Sequence, residues 1–173
     1  MEKLLEKAKK IKLMIFDVDG VLTDGKLFYN NDGVAFKSFH IQDGQGIKFL
    51  IEQGIEVAII TLHDSPIILR RMEQLGVKHV FFGKQSKLAT FEKLIEKLHL
   101  SPEQVGYLGD DIPDLPVIRR AGLGLVVANA ASQIIPYADG QTKAKGGCGA
   151  AREVCDLLLK AQNLESKVLE PYL

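Results

Sequence analysis

Residues 12–20 read Lys-Leu-Met-Ile-Phe-Asp-Val-Asp-Gly, an apolar run that stops abruptly in carboxylates and a glycine. A short run without polar alternation (12–17) suits a strand buried on both faces, as in a parallel sheet covered by helices. Four further stretches have the same character: 56–61, 78–82, 105–109 and 123–127. The segments between them switch to a helical period. Ser65-Pro66 supplies an N-cap and a first-turn proline, and Ile68, Leu69, Met72 and Leu75 then fall on one face. Ser86 caps a second helix whose apolar stripe is Leu88, Phe91, Leu94, Ile95 and Leu98. Ser101-Pro102-Glu103-Gln104 is a capping-box turn into the next strand. Strands alternating with helices predict a single α/β, Rossmann-like domain over residues 1–173, with a parallel sheet flanked by helices and right-handed crossovers.

Two stretches depart from that alternation. Residues 26–39 carry apolar-alternating arms around Asn30-Asn31-Asp32-Gly33, which predicts a β-hairpin lying as a flap over the carboxyl edge of the sheet. Gly146-Gly147-Cys148-Gly149 opens a C-terminal helix whose apolar face is Ala150, Val154, Leu157, Leu158 and Ala161. Beyond Asn163 the pattern fades into a tail, residues 164–173.

The composition narrows the function. With 46% hydrophobic and 25% charged residues in 173, the chain is neither disordered nor fibrous. Lys+Arg and Asp+Glu are both 22, so no charge excess points to nucleic acid or an anionic membrane surface. No apolar run approaches the roughly 20 residues that span a bilayer, and residues 1–10 are charged and amphipathic, unlike a secretory signal. Cys148 and Cys155 are too few and too sparse for a disulfide framework or a zinc site. They read as small buried or half-buried thiols in a reducing, cytoplasmic compartment.

The polar groups gather at the carboxyl ends of the predicted strands, where open α/β sheets bind ligands. The first strand ends in Asp17-Val18-Asp19-Gly20 and the second in Thr61. Lys87 opens the helix after the third, and the fourth runs into Gly109-Asp110-Asp111 with Asp114 three residues on. Asp17, Asp19, Asp110 and Asp111 facing Lys87 alone would carry an excess of negative charge that calls for protonation or a cation. Carboxylates without histidine or thiolate select a hard ion, Mg²⁺, which keeps open positions for phosphate oxygens. Phosphoryl transfer then assigns roles. Asp17 is the nucleophile, and Asp19 protonates the leaving alkoxide and later deprotonates water. Thr61 donates a hydrogen bond, and Lys87 offsets the charge on the transferring group. A signalling receiver domain uses similar residues, but its acidic pair precedes the phosphorylated aspartate and its lysine comes last; the order here excludes it.

At these residues the chain resembles the haloacid-dehalogenase superfamily. Asp17-Val18-Asp19-Gly20-Val21-Leu22-Thr23-Asp24-Gly25, Thr61, Lys87 and Gly109-Asp110-Asp111-Ile112-Pro113-Asp114 resemble its four motifs. Asp19 marks a phosphatase and not a dehalogenase. The resemblance implies Mg²⁺ on the Asp17 carboxylate, the Asp19 backbone carbonyl and the Asp110 carboxylate, with Asp111 and Asp114 in support. Phe36-Lys37-Ser38-Phe39, Asp43-Gly44-Gln45-Gly46-Ile47 and residues 146–156 resemble the family of phosphatases acting on 3-deoxy-D-manno-octulosonate 8-phosphate (Kdo 8-phosphate), a precursor in lipopolysaccharide synthesis. That family implies no separate cap domain and a homotetramer in which hairpins pack together and a neighbour's tail covers the site. It also implies a substrate-binding role for Arg71, toward the sugar acid's carboxylate, and for Leu62 and His63. These last stand where the family pattern is Thr-Gly-Arg, so Leu62 must find room for a side chain and His63 replaces a longer cation. The alternatives are a phosphatase for another sugar-acid phosphate, of the sialic acid 9-phosphate type, or a catalytically reduced structural domain of the same fold.

Overall fold

Leu13–Phe16 (β1) is buried at every position, because it lies in the middle of a six-stranded sheet with a neighbour on each side. The computed structural model describes residues 2–82 and 86–173. The other strands of that sheet are Glu56–Thr61 (β4), His79–Phe82 (β5), Val105–Gly109 (β6), Leu123–Val126 (β7) and Gly140–Gln141 (β8). They lie in the order β5-β4-β1-β6-β7-β8, and every pairing is parallel. Alternate residues of β1 feed opposite faces, as the strand period of two requires. Met14 and Phe16 join one apolar cluster, Leu13 and Ile15 the other.

The first cluster is completed by Glu2–Ala8 (α1), Ile41–Glu52 (α2), Pro66–Leu75 (α3), Ala150–Ala161 (α6) and Val168 from Glu165–Leu169 (α7). The second takes Phe91, Leu94 and Ile95 of Lys87–Lys97 (α4) and Val117 and Ile118 of Leu115–Arg120 (α5). The chain builds outward from β1 to β5 and then returns to place β6 on the other flank of β1. The direction of winding therefore reverses between β1 and β6, and a crevice opens at their carboxyl ends.

The five strands read from the sequence stand within a residue of their expected ends. The hairpin is present as Phe28–Asn30 (β2) and Gly33–Phe36 (β3), an antiparallel pair apart from the main sheet. Asn30 Oδ1 accepts the Asp32 amide at 2.9 Å and Gly33 takes φ +118°, a turn that an L side chain would strain. The rings of Phe28 and Phe36 stack with centroids 4.3 Å apart across the pair.

Four expectations need correction. Leu69, placed on the buried face of α3, is 46% exposed; Ile68, Met72 and Leu75 alone are fully buried there. Cys148 is exposed and only Cys155 is buried, because Cys148 lies in the loop before α6. β5, expected to be as buried as β1, is half-buried at every position because it forms the edge of the sheet. The tail forms α7 and a short 3₁₀ turn, with Tyr172 edge-on to Phe49. β8 and α1 were not anticipated, the first being two residues long.

The glycine-rich loop before α6 packs directly on the loop after β1. A Cβ on Gly146 would lie 1.7 Å from the Gly20 carbonyl oxygen, and the Gly147 amide donates to Val21 O at 2.9 Å. Gly146→Ala must force these loops apart and is expected to destabilise the protein by about 2–3 kcal/mol, read as a lower urea midpoint at unchanged slope, with a parallel loss of activity.

Candidate active site

The Asp17 amide continues the β1 ladder by donating to Leu108 O at 3.1 Å, which fixes the first carboxylate relative to β6. The chain then turns tightly. Val18 O accepts the amides of Val21, Leu22 and Thr23. The buried Thr23 hydroxyl accepts the amides of Gly20 and Gly25, each at 3.3 Å, and donates to Val18 O. Thr23, whose position in the first motif signals no role by itself, is the knot of this loop.

A cavity of about 190 Å³ opens at the crevice, lined by Asp17, Asp19, Thr61, Leu62, His63, Lys87, Asp110, Asp111, Pro113 and Asp114. Every expected site residue is therefore brought together except Arg71. That residue lines a separate cavity of about 310 Å³ with Phe39, Pro66, Ile67, Arg70 and Gln74, its guanidinium 5.9 Å from the Phe39 ring centroid. Leu62 is exposed, so the side chain that replaces a glycine turns no neighbour away.

Inside the pocket, Lys87 Nζ lies 3.0 Å from Asp17 Oδ1 and 2.6 Å from Asp114 Oδ1. Asp114, 1% exposed, also accepts the Tyr107 hydroxyl at 2.5 Å on Oδ1 and the amides of Asp110 and Asp111 at 2.9 and 3.2 Å on Oδ2. Its acceptor sites are spent within the protein, which makes it a positioning carboxylate. Tyr107 was missed because its strand reads as ordinary core. The one clue was a hydroxyl in an otherwise apolar run, which needs a buried partner. Lys37 was missed as a contact. Its ammonium pairs with Asp19 Oδ1, while His63 Nδ1 lies 2.8 Å from Asp19 Oδ2.

Burial pushes Asp17 up to about 7, with a further push from the Asp114 charge that Lys87 only partly offsets. Asp110 rises to about 7 by burial and then by the charges of Asp17 and Asp114. Burial opposes the charge of Lys87, yet Asp17 and Asp114 together hold its pKa above the ordinary lysine value. Burial, followed by the Asp114 charge, keeps Tyr107 a neutral donor. Three carboxylates thus face one ammonium. Carboxylate oxygens of Asp17, Asp110 and Asp114 lie within 4.8 Å of one another. A divalent, oxygen-seeking cation would close that charge count, and since Asp114 is saturated, Asp17 and Asp110 are the carboxylates with oxygens to give. A Cβ on Gly20 would lie 2.0 Å from Asp110 Oδ2, so the Gly20 backbone abuts the same carboxylate.

A haloacid dehalogenase-like hydrolase family model matches residues 38–122. The 3-deoxy-D-manno-octulosonate 8-phosphate phosphatase KdsC of Escherichia coli K12 is 46% identical over 159 residues, covering 92% of this chain and 85% of that protein. This chain belongs to the haloacid dehalogenase-like hydrolases. Within the family, its fold superposes on the KdsC-type phosphatase of Moraxella catarrhalis with a TM-score of 0.97 at 42% identity, covering 100% of this chain and 99% of the other. That structure holds a magnesium ion, a phosphate ion and a Kdo molecule. The Yersinia pestis 3-deoxy-D-manno-octulosonate 8-phosphate phosphatase superposes at 0.92 with 42% identity, covering 94% and 88% of the two chains. Among the described residues, no helix is long and apolar enough to cross a membrane.

The raised carboxylates of this hydrolase set a pH signature. Between about pH 4 and pH 7 the metal-free folded state keeps protons on Asp17 and Asp110 that the unfolded state has released. Stability therefore falls as pH rises through that window and levels off above it. Thermal melting in chelator is expected to show a declining Tm from pH 5 to pH 8, with a shallower decline in Asp110→Asn. Added Mg²⁺ should raise Tm by more at pH 8 than at pH 5, because at the lower pH it competes with protons for the same oxygens.

Proposed function

We propose that this hydrolase removes phosphate from 3-deoxy-D-manno-octulosonate 8-phosphate through an aspartyl-phosphate on Asp17, in lipopolysaccharide biosynthesis. The observation that carries the reading is Asp17 held against Lys87 at 3.0 Å in a pocket it shares with Asp19 and Asp110. The chain is 46% identical to a KdsC phosphatase over 92% of its length.

In this mechanism an Asp17 carboxylate oxygen attacks phosphorus as the bond to the sugar oxygen breaks, and Asp19 gives that oxygen its proton. Water then attacks phosphorus and loses a proton to Asp19, the bond to Asp17 breaks, and inorganic phosphate leaves. Lys87 offsets charge on the phosphoryl oxygens, Thr61 donates a hydrogen bond to them, and the exposed Leu62 offers its backbone N–H. Asp114 holds Lys87 in place, and Asp111 caps the turn that carries Asp114, its Oδ1 accepting the Ile112 amide at 2.8 Å. Mg²⁺, held by the carboxylates of Asp17 and Asp110 and the Asp19 carbonyl, supplies the positive charge that lets an anionic phosphate approach these carboxylates. Arg71, beside the neighbouring cavity, takes the carboxylate of the sugar acid.

The same reading places the protein in the cytoplasm as a single domain, 1–173, assembled as a homotetramer. Phe28, Tyr29 and Phe36 on the hairpin are exposed, which suits hairpins that pack together, and residues 164–173 would cover a neighbour's pocket. Phosphate release is expected to be Mg²⁺-dependent and to favour Kdo 8-phosphate over sialic acid 9-phosphate and hexose phosphates. Asp17→Asn should retain the fold and lose at least about 10³-fold in kcat. Substantial residual turnover by that variant would rule out the nucleophile, and silence of the wild-type protein across the panel would rule out the activity.

A further inference from the structure

The mechanism above leaves one buried charge without a task. Lys37 follows β3 directly, where the hairpin returns to the body of the protein, and its side chain is only 3% exposed. It does not line the acid pocket. Its ammonium is instead committed to Asp19 Oδ1, and the other oxygen of the same carboxylate is 2.8 Å from Nδ1 of His63, at the exit of β4. Once Asp19 has given up its proton its carboxylate can only accept, and the imidazole proton then sits on Nδ1. The two groups reach Asp19 from different elements and from different depths, since His63 is 63% exposed at the mouth of the pocket.

We propose that Lys37 and His63 form a two-point clamp on Asp19. Lys37 is the buried anchor and His63 the outer contact, and both act as positioning residues for proton transfer. A single bond would leave the carboxylate free to swing about its side-chain torsions; two bonds to separate oxygens fix its plane. The hairpin thereby reaches the chemistry through its base, by way of Lys37, whatever its exposed tip does. The clamp also accounts for His63 at a position where the family pattern has arginine: the imidazole is short enough to bond Asp19 rather than extend past it. Lys37 is not a phosphate ligand on this reading, because its ammonium is committed to Asp19 and it lies outside the cavity lining.

This inference rests on the phosphatase reading, and leaving-group chemistry separates the two. Wild type, Lys37→Met, Lys37→Arg and His63→Ala would be assayed on Kdo 8-phosphate and on p-nitrophenyl phosphate, whose phenolate departs without a proton. Lys37→Met is expected to lose about 10- to 100-fold in kcat on the sugar phosphate at unchanged KM, within what general acid–base catalysis contributes. On the aryl ester its pre-steady-state burst of nitrophenolate should keep the wild-type rate, and only the following steady state should slow, because the hydrolytic water still needs Asp19. Lys37→Arg should recover part of the loss. His63→Ala should show the same pattern with a smaller loss, and being at an exposed position it carries the test alone if Lys37→Met does not fold. Mg²⁺ affinity by calorimetry should be unchanged in each variant. A burst slowed as much as sugar-phosphate turnover, a raised KM at intact kcat, weakened Mg²⁺ binding or no effect at all would each overturn the clamp. A wild-type protein inactive on both esters would instead overturn the phosphatase reading and take the clamp with it.

Discussion

The carboxylate of Asp114 is the point on which the site is built. It accepts from the Lys87 ammonium, the Tyr107 hydroxyl and the amides of Asp110 and Asp111, so one buried side chain ties together α4, β6 and the loop that carries the third carboxylate. An unpaired carboxylate at that depth would be prohibitively costly, and a half-paired one would be a source of disorder. Full satisfaction turns the cost into rigidity. Lys87 is left with donors to spare, and it uses one on Asp17. The nucleophile is therefore aimed by a residue it does not touch through any hydrogen bond of its own.

The rest of the pocket is electrostatically unfinished by comparison. Asp17 and Asp110 are held near each other by backbone geometry, and Lys87 cannot compensate both. Their raised pKa values express that imbalance. Sites arranged this way are stabilised by whatever positive charge enters them, and this is the property that makes a cation and then an anionic phosphate welcome in sequence.

Much of this was legible beforehand, for identifiable reasons. Four of the five long-run strands are buried along nearly their whole length, so their residues had to be apolar and their ends marked by polar or turn residues, while β5, at the edge of the sheet, is half-buried throughout. Asp17, Thr61, Lys87 and Asp110 could be placed together because a parallel sheet delivers all its strand ends to one edge. What escaped was set by tertiary contact. Leu69 has the helical spacing of a core residue, but α3 turns that position outward. β8 is two residues paired along β7, with no apolar pattern to announce it. Arg71 lines the neighbouring cavity, and the partners of Lys37 and Tyr107 depend on which loops approach one another, a matter no local spacing encodes.

The seam between the Gly20 carbonyl and Gly146 has a consequence for how the protein comes into being. The loop carrying Asp17 and Asp19 is buttressed by residues near the far end of the chain. The start of α6 is held in turn by Asp43 of α2, which accepts the Arg152 amide at 2.7 Å. Contacts so distant along the chain form late, after the loop-closure entropy has been met. The loop that carries Asp17 and Asp19 therefore gains its support only once residues 146–152 are in place.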